Sequence, residues 1–463
     1  MKPTPVIAIF DVGKTNKKII LFDKKYRLLQ EEAVQFEEIK DDNGEACDDI
    51  ESITRWVNDT IASLQKKQDV NIKAFNVSAY GASLVYLDAN FRVLTPLYNY
   101  LNPYPSALQQ KFYNDYGGEL ALSTQTASPV LGNLNSGLQL YLIKYERPSL
   151  FNSIEYALHL PQYISHVITS MTCSEITSIG CHTHLWDFGK GNYHDWVSRE
   201  GLGQKLPAIQ KSDSVLRIHP RHKAGPIPAG TGLHDSSSAI IPYLMSFHEP
   251  FVLLSTGTWC ISLNPFNAFP LTEEELKKDC LCYLSYEGKP VKASRLFAGN
   301  DHEIQSKRIA QHFSKPKEFF KTTIYDHALI HSLSISAAME QLRRPFTRGA
   351  ETSAFKDRDL STFASYEAAY HQLMIDIMYM QTASTELVLK NTSVKRVFVD
   401  GGFSKNSIYM NLLASAFPTM EVFGATIPQS TAMGAALAIH SHWNSLPVPR
   451  DIIQLKYYAR PPQ

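Results

Sequence analysis

Asp11 closes the apolar run Val6-Ile7-Ala8-Ile9-Phe10. Val12-Gly13-Lys14-Thr15-Asn16 follows, and then a second apolar run, Ile19-Ile20-Leu21-Phe22. The pattern predicts strand, tight turn, strand. Gly13 lets the backbone come close to a ligand, while Lys14, Thr15 and Asn16 offer charge, hydroxyl and amide. Successive backbone N–H groups in such a turn form an anion nest, and a carboxylate at a strand tip suits a metal ion or its water. Together these groups suit a polyphosphate carried with Mg²⁺. An ordinary charged hairpin has the same composition, so the turn alone does not decide.

Two familiar phosphate signatures fail. A Walker loop needs glycine five positions before Gly13 and a helix after Lys14-Thr15; position 8 is Ala8 and the continuation reads as strand. A dinucleotide fingerprint in Gly230-Thr231-Gly232-Leu233-His234-Asp235 would need its third glycine where Asp235 stands. Asp235 instead sits at the head of a short helix through Ala239-Ile240-Ile241. It reads either as a helix cap or as a general base kept ionised by the helix N-terminus.

The opening design recurs at Phe251-Val252-Leu253-Leu254-Ser255-Thr256-Gly257-Thr258-Trp259. Here Ser255 replaces Asp11, Gly257 matches Gly13 and Thr258 replaces Lys14. An internal repeat predicts two related domains, expected at 1–245 and 246–463, whose glycine turns grip a polyphosphate from both sides. Val397-Phe398-Val399 runs into Gly401, Gly402 and Asn406, and Gln429 to Gly434 opens a last helix.

The elements that must position these groups alternate as α/β. Apolar spacing predicts helices over Ile50–Lys67, Leu138–Tyr145, Ile154–Thr169, Ser294–Gln311 and Tyr366–Lys390, the last amphipathic along one face. Ile72–Ser78 reads as a strand ending in Tyr80-Gly81-Ala82, then the short strand Leu84–Asp88. Alternation places His182 and His184 on one face of a strand. No third metal ligand is evident in nearby sequence, so hydrogen-bonding histidines are expected. His219 and His222 flank Pro220 in a basic loop and read as solvated.

The 463 residues carry 45 basic and 45 acidic side chains, so no net field favours nucleic acid or an anionic membrane. There is no apolar run long enough to span a bilayer and no signal-peptide pattern at the start. Six scattered cysteines fit reduced thiols and a cytoplasmic location.

The order of motifs is an Asp-Val-Gly-Lys-Thr-Asn hairpin, a Gly-x-His-Asp corner, a Ser-x-Gly-Thr-Trp hairpin, a Gly-Gly-x-Ser-x-Asn turn and an Ala-x-Gly-Ala-Ala helix. It resembles the FGGY carbohydrate kinases from residue 6 to about 440, nearest to the rhamnulose and fuculose kinase branch. The resemblance implies an α/β fold of two ribonuclease H-like (actin/hexokinase-like) domains with a cleft. It implies ATP and Mg²⁺ as cofactors and a sugar as substrate. Asp11 would serve the metal. Gly13, Lys14, Thr15, Asn16 and Lys18 would form one phosphate loop, and Ser255, Thr256, Gly257 and Thr258 the other. Gly401, Gly402, Asn406, Gln429 and Gly434 would bind adenosine. Asp235 would be the catalytic base, with Tyr80, Gly81, Ala82, His182, His234 and Asp235 at the sugar. The Tyr98-to-Tyr104 and Arg295-to-His302 stretches depart from the family pattern. A non-catalytic actin-like nucleotide-binding protein, or a phosphatase on the same scaffold, would share the hairpins. A homodimer is allowed.

Overall fold

The opening hairpin forms as the sequence predicts. Thr4–Val12 pairs antiparallel with Lys17–Asp23, which pairs antiparallel with Leu28–Val34. On its other side Thr4–Val12 runs parallel to Val70–Ala79. The crossover between those parallel strands is the helix Ile50–Lys66. Asp49 caps it, accepting from the Ser52 amide at 3.0 Å, and it buries Ile53, Val57, Ile61 and Leu64. The computed structural model describes residues 2–217, 227–333 and 352–459; His219 and His222 lie outside them.

Two compact units emerge. The first comprises Met1–Phe247, Cys282–Pro290 and Pro428–Ile452; the second His248–Leu281, Val291–Ile427 and Ile453–Gln463. A single cut at 245/246 does not describe this division. The reason lies in the helix Ser430–Ala438, whose small residues pack by backbone. A Cβ on Gly434 would lie 1.8 Å from the Ser238 carbonyl oxygen. Asn76 Nδ2 also donates to the Ala435 carbonyl at 2.8 Å. No larger residue fits that approach, so this segment belongs with the first unit.

The seven-stranded sheet of the first unit runs Val215–Arg217, Pro228–Gly230, Val70–Ala79, Thr4–Val12, Lys17–Asp23, Leu28–Val34, with Leu233–His234 also paired to Val70–Ala79. In the second unit Pro290–Leu296, Cys260–Asn264, Phe251–Thr256, Arg396–Gly401, Glu421–Thr426 and Gln454–Tyr458 lie side by side in that order. The central four strands match between units in order and direction: a hairpin, an antiparallel outer strand, and a parallel strand inside. The repeat read from two short glycine turns is therefore a repeat of whole sheets.

Three predicted elements differ. Ile154–Thr169 is not one helix: Tyr156–His159 is a strand pairing with Leu84–Leu87, and the helix begins at Leu160 with proline in its first turn. Short apolar runs do not distinguish the two periods, and Pro161 marks the true start. Ser294–Gln311 likewise divides into the strand Pro290–Leu296 and the helix Ala298–His312. His182 and His184 do not share a strand face, because a one-turn helix, Ile176–Ile179, precedes them and His184 has φ +62°. The helix Tyr366–Leu389 is buried around most of its circumference, including Tyr370, Met374 and Asp376. Asp376 is neutralised by Arg358 at 2.6 Å.

Candidate active site

Three parallel strands of the first unit end together. Asp11 lies opposite Ser78, and Ser78 lies opposite Leu233, so Asp11 and the His234-Asp235 corner leave the strand ends on either side of Val70–Ala79. Open α/β sheets bind ligands beyond such carboxyl ends. Asp235 is the first residue of the helix Asp235–Ala239, and its Oδ1 accepts from the Ser236 amide at 2.6 Å. Its side chain keeps 33% of its surface exposed. Crowding by protein atoms nonetheless pushes its pKa up to about 6. Asp11 is also raised to about 6. Desolvation is the main cause and the negative charge of Asp235 adds to it, while Thr431, Lys18 and Ser78 work the other way. Two hard oxygen donors that repel one another suit a Mg²⁺ ion, which would relieve the repulsion.

The basic side chains of the turn are engaged. Lys14 Nζ donates to Asp48 at 2.8 Å and Glu38 at 3.0 Å. Lys17, buried, donates to the Lys14 carbonyl at 2.7 Å. Lys18 donates to Gln429 Oε1 at 3.1 Å and pairs with Glu31 at 2.9 Å. Thr15 and Asn16 are exposed, and the Gly13 amide closes the turn on the Asn16 carbonyl at 2.9 Å.

Beside Asp235 lies a buried corner. His234 Nε2 is 3.3 Å from Asp235 Oδ1, and burial lowers the His234 pKa to about 4, so the ring is neutral at pH 7. A Cβ on Gly81 would meet that ring at 2.9 Å, which is why glycine stands there. Ala82 adopts φ +63°, and its carbonyl accepts from Gln139 at 2.6 Å. Tyr80 donates to Asp48 at 2.7 Å. The His182 ring packs edge-on to His234 with centroids 6.1 Å apart, its Nδ1 set 2.9 Å from the Leu134 carbonyl. His184 is a hydrogen-bonding core histidine, as expected, between Tyr113 and Thr126. Residues of the aromatic segment, Tyr98, Asn99, Asn102 and Pro103, line a different cavity of about 250 Å³ in this unit.

The second unit holds a cavity of about 660 Å³ whose lining includes Thr256, Gly257, Thr258, Gly299, His302, Phe320, Gly402 and Asn406. Gly401 has φ +89°, and a Cβ there would lie 1.9 Å from the Thr256 carbonyl oxygen. Thr256 Oγ1 ties the turn down, donating to the Asp400 carbonyl at 2.5 Å and accepting from the Phe403 amide at 3.0 Å. Asn406 caps the helix Ser407–Ala416 through its Oδ1 and donates to the Tyr370 hydroxyl at 2.8 Å. This wall of flat backbone, amide and aromatic ring is the chemistry of a heterocycle site.

The family models match both halves. Residues 6–242 match the N-terminal domain of the FGGY family of carbohydrate kinases, more than half of the chain, and residues 248–447 match the C-terminal domain, "Carbohydrate kinase FGGY". The chain belongs to the FGGY family of carbohydrate kinases. Among curated relatives, a rhamnulokinase of Halalkalibacterium halodurans is 22% identical over 56% of this chain and 56% of its own. One of Mannheimia succiniciproducens is 24% identical over 55% and 52%. The match thus spans little more than half the length of these relatives. In fold, this FGGY chain is similar to a carbohydrate kinase from Novosphingobium aromaticivorans (TM-score 0.79, 21% identity, 99% of this chain and 95% of that one). It is also similar to a ligand-bound xylulose kinase from Lactobacillus acidophilus (TM-score 0.80, 15% identity, 99% and 94%). The two-domain actin/hexokinase-like α/β class is therefore the fold of this chain.

In the first unit the structure gathers Asp11, Gly81, His182, His234 and Asp235 around one set of strand ends. In the second it gathers Thr256, Gly257, Thr258, Gly402 and Asn406 around one cavity. Ser255 and Gly401 support that cavity's turn from within the sheet. Gln429 and Gly434 are not part of its lining; they fall in the first unit, where Gln429 takes Lys18 and Glu31. Sequence reasoning missed Gly299, His302 and Phe320. The signal was Gly299: a Cβ there would lie 1.7 Å from the Gly257 carbonyl oxygen, so the helix Ala298–His312 starts against the turn. His302 then reaches the Tyr370 hydroxyl at 2.8 Å.

Proposed function

We propose that this FGGY chain transfers the γ-phosphoryl group of ATP to a hydroxyl of a small ketose. One observation carries the reading: Asp11 and Asp235 leave strand ends on either side of Val70–Ala79 and each bears a carboxylate raised to about 6. Asp235 is the general base. It takes the hydroxyl proton as the sugar oxygen bonds to phosphorus and the bond to the β-phosphate oxygen breaks, releasing ADP. A base of pKa near 6 is ionised at neutral pH yet basic enough to accept a proton. Asp11 would hold Mg²⁺, which neutralises charge on the phosphates when bound. The glycine turns at Gly13 and Gly257 present backbone N–H groups to phosphate oxygens, and the cavity beside Asn406 takes the nucleoside. His234, His182 and the Tyr80-Gly81-Ala82 turn border the sugar. The rhamnulokinase relatives favour L-rhamnulose or a similar 6-deoxy ketose such as L-fuculose. The likeness in fold to a xylulose kinase leaves a pentulose as the alternative.

The test is ADP release with Mg²⁺ and ATP over a panel of L-rhamnulose, L-fuculose, xylulose and ribulose, with the wild type and Asp235→Asn. One sugar should stimulate ADP release, and the variant should lose it while still binding that sugar. Phosphate release without any sugar would instead mark a phosphatase. Nucleotide binding without turnover would mark a non-catalytic member.

A further inference from the structure

Cys181, His182 and His234 each offer one ligand atom, and the three atoms lie within 4.8 Å of one another. All three residues are buried. Sequence spacing did not show this, because His234 lies far along the chain from the other two. We propose that the three side chains form a binding site for a thiophilic divalent cation, Zn²⁺ above all, and that its occupation switches the neighbouring base off.

Three observations support the site. First, the donor set is one thiol and two imidazoles, which selects zinc over Mg²⁺. Second, His234 Nδ1 is buried without any hydrogen-bond partner. Its ring is neutral, and Nε2 faces Asp235 at 3.3 Å. The tautomer protonated on Nε2 leaves a lone pair on Nδ1. Third, His182 Nδ1 faces the Leu134 carbonyl at 2.9 Å, an acceptor that takes the proton of that nitrogen, and this is the usual second-layer arrangement of a histidine that ligates zinc through Nε2. Metal–ligand bonds of about 2.0–2.3 Å need donors roughly 3.5 Å apart, so the side chains close in by about an ångström. The Cys181 thiol now lies 3.2 Å from the Ser178 carbonyl. On binding, its S–H bond breaks, a Zn–S bond forms, and one proton leaves to the buffer.

The effect on the base follows from position. A cation on His234 puts positive charge next to Asp235, whose Oδ1 lies 3.3 Å from the ring, which weakens that carboxylate as a proton acceptor, and places charge beside the sugar. Inhibition rests on the kinase reading above; metal binding does not.

The experiment uses the full chain and Co²⁺ as a spectroscopic stand-in, then Zn²⁺ in chelator competition. The wild type should take one ion and show a thiolate-to-cobalt charge-transfer band, with about one proton released. Cys181→Ser should lose the band, and Cys181→Ala serves if the serine variant does not fold. Absence of the band in the wild type, or its survival in the Cys181 variants, overturns the site. Turnover is read separately, with Mg²⁺ in excess. Zn²⁺ should inhibit the wild type, and Cys181→Ser should turn over normally and resist it. Equal inhibition of both overturns the switch, whereas a chain with the band but no turnover on any ketose keeps the metal site and rejects the kinase reading.

Discussion

The two glycine turns have the same strands around them and opposite chemistry. In the first unit the hairpin tip carries the acid: Asp11 stands opposite Ser78. In the second the places are exchanged, with Ser255 on the hairpin opposite Asp400 on the parallel strand. Asp400 turns its carboxylate to the Gly401 amide at 2.7 Å. The first turn is crowded with ions, as Lys14, Lys17 and Lys18 meet Glu38, Asp48 and Glu31. The second has no lysine, and hydroxyls, bare backbone and a cavity take their place. A duplicated sheet has thus been divided in labour. One copy concentrates repelling carboxylates, where, on the proposed kinase reading, a proton and a metal ion would be handled. The other surrounds its cavity with hydroxyls, bare backbone, an amide and aromatic rings, and the charges that line it, Glu303, Lys321 and Lys405, come from outside the turn.

The division is tested most sharply by removing one key side chain from each copy. Asp235→Asn should lower kcat by roughly 10²–10⁴ and leave the sugar KM little changed. Asn406→Ala should do the reverse, raising the ATP KM with a small effect on kcat. It also removes a helix cap, at a cost of about 0.5–2 kcal/mol in a denaturation curve. If both variants lost kcat equally, the two copies would not be separate in function.

The glycines give the next contrast. Gly401→Ala meets φ +89° and a carbonyl oxygen 1.9 Å from the new carbon. Backbone strain alone costs about 1–3 kcal/mol, and the Thr256 strand end must also move. At Gly13 the nearest atom to an added Cβ is 3.2 Å away and φ is not positive. Gly13→Ala should therefore leave the urea midpoint nearly unchanged, while Gly401→Ala lowers it clearly. Equal shifts would mean that the two turns are equally constrained.

These contrasts also mark what the sequence made legible. The hairpins, the Ile50–Lys66 helix and the Asp235 corner were readable because glycine, charge and apolar period coincide within a few residues. The repeat was readable because it lies in local strings. Long-range closeness was not. Cys181 and His234 meet only because the strand Leu233–His234 pairs beside Val70–Ala79, and no local pattern records that. Where Gln429 and Gly434 pack was hidden for the same reason: a helix of small residues says that it packs closely, not against which sheet. The split of Ile154–Thr169 shows the other limit, since four apolar residues fit a strand or a helix turn equally well.

The raised carboxylates of the first unit carry a pH signature. Both pKa values lie near 6, above the ordinary value near 3.9 of the unfolded chain. Between those values the folded state holds more protons than the unfolded one, so stability falls as pH rises from about 4 to 6. At pH 8 the ionised pair is a burden. Asp11→Asn should accordingly raise the thermal midpoint at pH 8, and the gain should vanish towards pH 4. On the proposed mechanism turnover has the opposite need, because an ionised Asp235 would be the active form. The wild-type kcat/KM profile should thus fall on the acid side with an apparent pKa near 6, a property of the coupled pair rather than of either residue. A variant without added stability at pH 8 would show that other charges already compensate the pair.

Lys14→Gln is the mildest test and bears on the first turn alone. Lys14 is held by Asp48 and Glu38 and is only partly buried. Its loss leaves Asp48 with the Tyr80 hydroxyl at 2.7 Å and Lys17 at 3.8 Å. The pair is therefore worth no more than about 1 kcal/mol. If Lys14 stays with those carboxylates throughout, the ATP KM is unchanged, and the first turn binds phosphate through backbone and metal as the second binds through backbone and hydroxyl. A ten-fold rise in the ATP KM, with the sugar KM constant, would show that the lysine leaves Asp48 for a phosphate during turnover. The ion-rich turn would then be a reservoir of charge released by the ligand, and the contrast between the two copies would be deeper than their resting geometry displays.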